Sequence, residues 1–171
     1  MKNLKIQKNK AFSIVEVVVA CAIISVTVLA LMSTAGKSIQ VSNQTIMQSQ
    51  ATLLIEEGVE AVKSIRDNNW TNISGLTNST NYYLFFYTTT NQWSLITSQT
   101  APNGSIPTYP IDGAFTRNVV FSSVYRNASN DIANSGTLDT GTKKVTVTVS
   151  WNKPGGVASK NLSFYISNIF N

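Results

Sequence analysis

A single carboxylate, Glu16, stands inside the most apolar stretch of the chain, residues 12–32, which reads FSIVEVVVACAIISVTVLALM. A charged side chain at the centre of a bilayer costs about 2.5–3.5 kcal/mol even on the most permissive insertion scales. An acid is therefore retained in such a stretch when a function requires it. The chemistry open to a lone carboxylate there is pairing with a cation, because buried charges need a partner. Glu16 is the leading candidate for a functional residue.

Residues that could carry out catalysis or bind a metal are scarce in the rest of the chain. The 171 residues include no histidine and one cysteine, Cys21, so the commonest general base and any Cys/His zinc set are missing. Cys21 is interpreted as a small buried hydrophobe. Asp131 and Asp139 fall in a long polar loop predicted over residues 127–142, but their spacing does not fit an EF-hand. We predict no enzymatic activity, no cofactor and no metal.

The positive charge of the chain is concentrated at its start. The formal net charge is +5, and four lysines before residue 11 supply +4, which leaves +1 for everything that follows. This distribution argues against nucleic-acid binding, which needs basic residues clustered on the folded domain. Aromatic residues of the C-terminal region could stack on bases, but their alternation favours a sheet core. Lysines beside an apolar segment predict that this end stays in the cytoplasm and the C-terminal bulk lies outside.

The apolar stretch is long enough to span a bilayer as a helix, which needs roughly 20 residues. Beyond it the pattern is amphipathic up to about Asp67, with apolar residues three, four or seven apart. This stripe needs a surface to pack on. Its members are Ile39, Ile46, Ala51, Leu54, Ile55, Gly58, Val62 and Ile65.

From residue 69 onward the periodicity shifts toward two, which predicts β-strands. The clearest strand alternates Val145, Val147, Val149 and Trp151 with small polar residues, which predicts one buried face and one face exposed to solvent. Further strands are predicted over residues 82–87, 93–97, 115–126 and 162–166. The predicted fold class is α+β, with a long N-terminal helix, transmembrane in its first half, packed on a C-terminal antiparallel sheet. Four segments are predicted: a basic leader at 1–11, the transmembrane half of the helix at 12–34, its amphipathic half at 35–68 and a β-rich globular domain at 69–171.

The junction KNKA-FSIVEV, with its basic leader, small residue and Phe-x-x-x-Glu start of an apolar helix, resembles the class III signal sequence of type IV prepilins and pseudopilins. The resemblance implies that a membrane prepilin peptidase cuts between Ala11 and Phe12, that Phe12 becomes N-methylated, and that Glu16 pairs with the Phe12 amine of a neighbouring subunit. It also implies pilin-like β-rich domains outside the cell, other pilin subunits and an inner-membrane assembly platform as partners, membrane lipid before assembly, and a final helical filament.

Other interpretations remain open at this point. Glu16 could pair with the amine of its own chain. A conventional signal peptidase could cut after Ser33-Thr34-Ala35, since small residues flank that position. The chain could also be a signal-anchored extracytoplasmic binding domain that never polymerises. The sequence does not distinguish a major pilin from a minor pilin or a pseudopilin.

Overall fold

The computed structural model describes residues 13–169, which divide into two compact units, the first ending at Gln44 and the second beginning at Thr45. Within the first unit the chain is a continuous stretch of helix α1 (Ile14–Asn68), and every described residue up to 43 is exposed. Apolar side chains therefore surround this stretch on all sides, and no element of residues 13–169 covers them. Such a surface is typical of a helix whose surroundings are lipid or other helices.

Hydroxyl side chains in the apolar stretch are satisfied by the helix itself. Ser25 donates to the Cys21 carbonyl at 2.8 Å, Thr27 to that of Ile24 at 2.8 Å and Thr34 to that of Ala30 at 2.9 Å. Because these bonds stay within one helix, the three hydroxyl groups need no water. These three side chains are thus compatible with an apolar environment.

The second unit contains the later part of α1, a one-turn helix and an antiparallel sheet. Its elements after α1 are α2 (Thr71–Ser74), β1 (Asn81–Tyr87), β2 (Gln92–Ile96), β3 (Ser105–Ile106), β4 (Phe115–Arg126), β5 (Ile132–Ala133), β6 (Thr137–Lys153) and β7 (Gly156–Ser167). The sheet has seven strands in the order β2-β1-β4-β6-β7, with β3 paired to β1 and β5 to β4. The predicted α+β class is confirmed.

The core of the second unit lies between the later part of α1 and one face of the sheet. From the helix it takes Ala51, Ile55, Ala61, Val62 and Ile65, and from β6 the predicted inward residues Val145, Val147, Val149 and Trp151. The predicted stripe is therefore correct from residue 51 onward. Its earlier members are not buried, since Ile39 is 63% and Ile46 53% exposed. Leu54 is half-buried.

At Gly58, helix α1 lies close to the sheet. A Cβ at this position would lie 2.9 Å from the Val147 Cγ1 atom and 3.1 Å from the Arg117 Cδ atom. No ordinary side chain fits without a shift of its neighbours. The glycine therefore sets how near the helix and sheet can come.

The loop predicted over residues 127–142 is wrong in part, because β5 and the start of β6 lie within it. Register across β4 and β6 shifts between Ser123 and Val124, and beyond the shift Thr137 pairs with Arg126. The first residues of this extension, 137–140, are exposed or half-buried and show no alternation of apolar residues, so no apolar face of β6 defines them. Gly136, at φ 142°, turns the chain where a Cβ would collide with the Arg126 carbonyl.

Candidate functional site

Glu16 lies in the first turn of α1, and its side chain is exposed. Its neighbours Ile14, Val15 and Val17 are 83%, 70% and 51% exposed. An acid in the first turn is favourable for the helix, because the N-terminal end of the helix dipole is positive. That effect falls off within a turn and does not require an acid inside an apolar stretch, so the position of Glu16 calls for a stronger cationic partner.

No such partner is found within residues 13–169, where the Glu16 carboxylate makes no ion pair and no hydrogen bond. The ion pairs of this part of the chain involve Glu57, Glu60, Asp67 and Asp139, all in the second unit. A cation for Glu16 must therefore come from the chain's own first twelve residues or from another molecule.

Two of the three predicted site residues cannot be compared with the structure. Ala11 and Phe12, the predicted cleavage and N-methylation positions, lie outside the described residues. Cys21 is a free and exposed cysteine, because no other element of residues 13–169 packs on this part of α1. Its burial in lipid or between helices stays a prediction.

By length and composition, α1 is the one helix among residues 13–169 that could cross a membrane, and none of its most apolar window is buried. Signal sequences near an N-terminus meet the same criterion. The apolar stretch is thus consistent with a membrane anchor of the kind found in pilins.

A long N-terminal helix that is apolar at its start, with its later part packed on an antiparallel sheet, is a pilin-like α+β architecture. The N-terminal segment carries a more specific signal. Residues 6–32 match the family model of the prokaryotic N-terminal methylation motif, which is the class III signal sequence of type IV pilins and pseudopilins. The resemblance noted at the KNKA-FSIVEV junction is confirmed. No curated protein and no solved structure gives a match to the chain.

A second charged group, Arg117, sits in the core of the second unit and is 0% exposed. Its Nη1 atom donates to the Leu54 carbonyl at 3.0 Å and forms an ion pair with the Glu57 carboxylate at 2.9 Å. Its Nε and Nη2 atoms have no hydrogen-bond partner among the described residues. A buried guanidinium with three of its five N–H groups unpaired is costly, so Glu57 is its essential counter-charge.

Tyr109 lies near Arg117, where the pairing of β1 and β4 is short. These two strands pair at Asn81↔Val120 and Tyr82↔Val119, and the Tyr109 ring packs edge-on against Phe85 of β1, with ring centroids 5.4 Å apart. The Tyr109 hydroxyl donates to the Leu84 carbonyl at 3.2 Å. Burial raises the pKa of Tyr109, and the nearby Arg117 guanidinium opposes that rise. On the side of the helix, the guanidinium carbon lies 5.6 Å from the Trp93 ring centroid.

The role of Arg117 was missed in the sequence analysis, although a signal for it exists. It occupies an inward position of β4, in phase with Phe115, Val119 and Phe121, where a charge is unexpected. A charged residue in the buried phase of a strand predicts a specific internal partner. The partner itself, Glu57, is on the helix 60 residues earlier, and no local pattern identifies it.

The carboxylates of the 127–142 stretch are not arranged as metal ligands. Asp139 accepts a bond from Arg126 Nε at 2.6 Å and one from the Gly141 amide at 2.9 Å. The bond from Arg126 is the main reason why the pKa of Asp139 is lowered. Across residues 13–169 no group of three or more His, Cys, Asp or Glu side chains could hold a metal ion. The Asp139 carboxylate instead ties β4 to β6.

Proposed function

We propose that this protein is a type IV pilin-like structural subunit, either a major pilin, a minor pilin or a pseudopilin, and that it assembles into a helical filament. The precursor is anchored in the cytoplasmic membrane with its N-terminus inside and its sheet domain outside. Prepilin peptidase cuts it between Ala11 and Phe12 and the new amine is methylated. The observation that carries the proposal is the methylation motif at residues 6–32, which includes the exposed apolar start of helix α1.

Glu16 and the new N-terminus are the proposed assembly contact. After cleavage the Phe12 amine is a cation four residues from Glu16, and both enter an apolar environment. When an inner-membrane platform extracts a subunit, the amine of that subunit and the Glu16 of a neighbour neutralise each other. The lack of a Glu16 partner within residues 13–169 supports this pairing, and the uncovered apolar helices would pack together in the filament core. Such a subunit is structural, as the methylation motif suggests, and is not an enzyme.

Intact-mass measurement of the protein from its native membrane tests the processing step. The expected mass is that of residues 12–171 plus one methyl group. Ala11→Trp should leave full-length precursor, because a bulky residue cannot occupy the small position before the cut. Asn3→Trp is the matched control and should be processed normally. A mature chain that begins at Gly36 would show cleavage by conventional signal peptidase and would contradict the proposal.

A further inference from the structure

Lys37 is the only positively charged residue between positions 13 and 62 of the sequence, and Glu16 is the only acid between positions 13 and 55. Both residues lie on helix α1, in the part that no element of residues 13–169 covers. The uncovered part of the helix therefore carries one acid and one base, one near each end of its apolar stretch. If Glu16 meets this part of another copy's helix, Lys37 is the side-chain cation available to it.

The spacing of Glu16 and Lys37, which is 21 residues, matches two lengths that matter for such a helix. At the rise of an α-helix the two positions are about 32 Å apart, close to the thickness of a bilayer's hydrocarbon core. The spacing is also three heptads, so Glu16, Ile23, Ala30 and Lys37 follow each other at intervals of seven. Residues at that interval lie on one seam when two helices wind around each other. The acid of one copy can therefore face the base of a parallel copy that is shifted by this length.

Gly36, which precedes Lys37, is not required by the packing of its own chain. A Cβ atom at this position would meet nothing within 4 Å among the described residues. Glycine inside a helix is nevertheless destabilising relative to alanine. The neighbouring residues Ala35 and Ser38 are also small. Because small residues let a second helix approach closely, the helix surface around Lys37 suits contact with another helix.

We propose that Lys37 is a second assembly contact, a proposal that rests on the filament proposed above. Its ammonium group pairs with Glu16 of another copy of this chain, whose helix lies parallel and is shifted by about 32 Å. A carboxylate has two oxygens and accepts bonds from two cations. The same Glu16 can therefore also hold the Phe12 amine of a neighbour that is more nearly level with it.

This contact would distinguish the filament from the subunits in the membrane. Subunits anchored in one bilayer are level with each other, so each Glu16 lies toward the inner side and each Lys37 toward the outer side. To pair these groups, one helix must leave the bilayer by about the thickness of the hydrocarbon core. Extraction of a subunit supplies that shift, so the pair forms on assembly and not before.

A lysine that marks the outer boundary of the bilayer is the rival interpretation. Lysine side chains near the ends of membrane helices extend toward the polar interface. That role requires neither the heptad spacing from Glu16 nor a glycine at the preceding position. A neighbouring helix explains both features, and they favour the intersubunit pair.

Carbodiimide cross-linking of wild-type filaments tests the contact directly. The reagent activates a carboxylate, an amine displaces it to form an amide, and the reagent leaves as a urea that has taken up the water lost. Because Glu16 and Lys37 are about 32 Å apart on one helix, an amide between them must join two copies. We expect this link in sheared filaments and not in subunits extracted from the membrane. The Glu60–Lys63 pair, at 2.7 Å within one chain, is the internal control and should be linked in both samples.

Substitutions of Lys37 measure how much the contact contributes to assembly. Lys37→Gln should lower filament content about tenfold at unchanged membrane level and processing, because a charge-assisted bond is lost. Lys37→Arg should assemble like wild type, since it keeps the charge and a similar reach. Lys63→Gln is the matched control on the same helix, and it should assemble normally because the partner of Lys63 is in its own chain.

Two results would overturn this inference and leave the proposed function standing. One is a set of filaments in which Glu60 and Lys63 are linked and Glu16 and Lys37 are not. The other is equal filament content for wild type and Lys37→Gln at equal membrane level. If the wild-type chain forms no filament at all, the proposed function is wrong and this inference is wrong with it.

Discussion

Two glutamates in different parts of helix α1 differ in whether they have an ion-pair partner. Glu16 lies in the uncovered apolar part and has no partner among residues 13–169, whereas Glu57 lies in the part covered by the sheet and pairs with buried Arg117 at 2.9 Å. Both are acids on one continuous helix. The difference is that the fold of the second unit supplies the cation for Glu57, while the fold described here supplies none for Glu16.

This comparison separates stability from assembly. A charge whose partner lies inside the domain contributes to the domain's own folding, and removing either partner should be seen in the free energy of unfolding. Removing a charge without an internal partner should not change the free energy of unfolding. Its effect should be measurable only when another molecule is bound. The substitutions below test the two parts of the helix on those terms.

The largest effect is expected at the centre of the sheet face that covers the helix. Val147→Asp places an unpaired charge at a site that is 0% exposed, and it should lower the free energy of unfolding by about 4 kcal/mol or more. Thr148→Asp, one residue along and on the other face, should cost less than about 1 kcal/mol. The two variants are compared by urea denaturation of a fragment, residues 36–171. We expect this fragment to fold, because the apolar stripe of its helix can still pack on the sheet. Equal losses would contradict the assignment of faces.

The internal ion pair should respond asymmetrically to the loss of each partner. Glu57→Ala leaves the Arg117 charge buried with only the Leu54 carbonyl, and it should cost about 2 kcal/mol, less than for a fully buried pair because Glu57 is 46% exposed. Arg117→Met removes the charge and keeps most of the volume, so it should cost less than Glu57→Ala. Urea denaturation of both variants in the same fragment decides the order. A greater loss for Arg117→Met would mean that the guanidinium itself is net stabilising.

Gly58→Ala tests the close approach of helix and sheet. The added methyl would meet Val147 and Arg117, at a cost of about 1–3 kcal/mol, partly offset by the roughly 1 kcal/mol gain in helix propensity. Gly36→Ala is the matched control, since a Cβ there meets nothing within 4 Å, and only the gain should remain. The melting temperatures of the full chain in detergent give both values. A stabilising Gly58→Ala would show that the helix can move away from the sheet.

The smallest effect concerns pH. Because the bond from Arg126 lowers the pKa of Asp139 in the folded state, its contribution is complete above the unfolded pKa of about 4 and is lost as pH falls through the lower folded value. Asp139→Asn should therefore flatten the decline in stability below pH 4, with a change of about 1 kcal/mol at neutral pH. The same pH dependence in wild type and Asp139→Asn would contradict the pairing.

The helix, the inward face of β6 and the motif at the N-terminus could be predicted because each depends on local order in the sequence. Apolar residues at helical spacing from Ala51 to Ile65, and the alternation from Val145 to Trp151, indicate which side chains are buried. The strands around residues 132–142 could not be predicted in this way. They extend beyond the core, so their stability does not depend on an apolar face.

The candidate site shows the same division. Glu16 stands out because a charge interrupts an apolar run, which is visible in one short segment. The Arg117–Glu57 pair joins residues 60 positions apart. Tertiary structure alone brings such residues together. The role of Glu16 in assembly stays a prediction, because its proposed partner is on another subunit.

The most direct test of the central claim is the incorporation of a Glu16→Gln subunit into filaments, measured beside its level in the membrane. Removing the carboxylate leaves the helix apolar and the cut intact, so membrane level and processing at Phe12 should match wild type. Filament content after shearing should fall steeply, because a buried amine without its counter-charge costs several kcal/mol, roughly 3–5. Glu56→Gln, an equal loss of charge at an exposed site on the same helix, should assemble normally. Equal filament content for wild type and Glu16→Gln at equal membrane level would contradict the account.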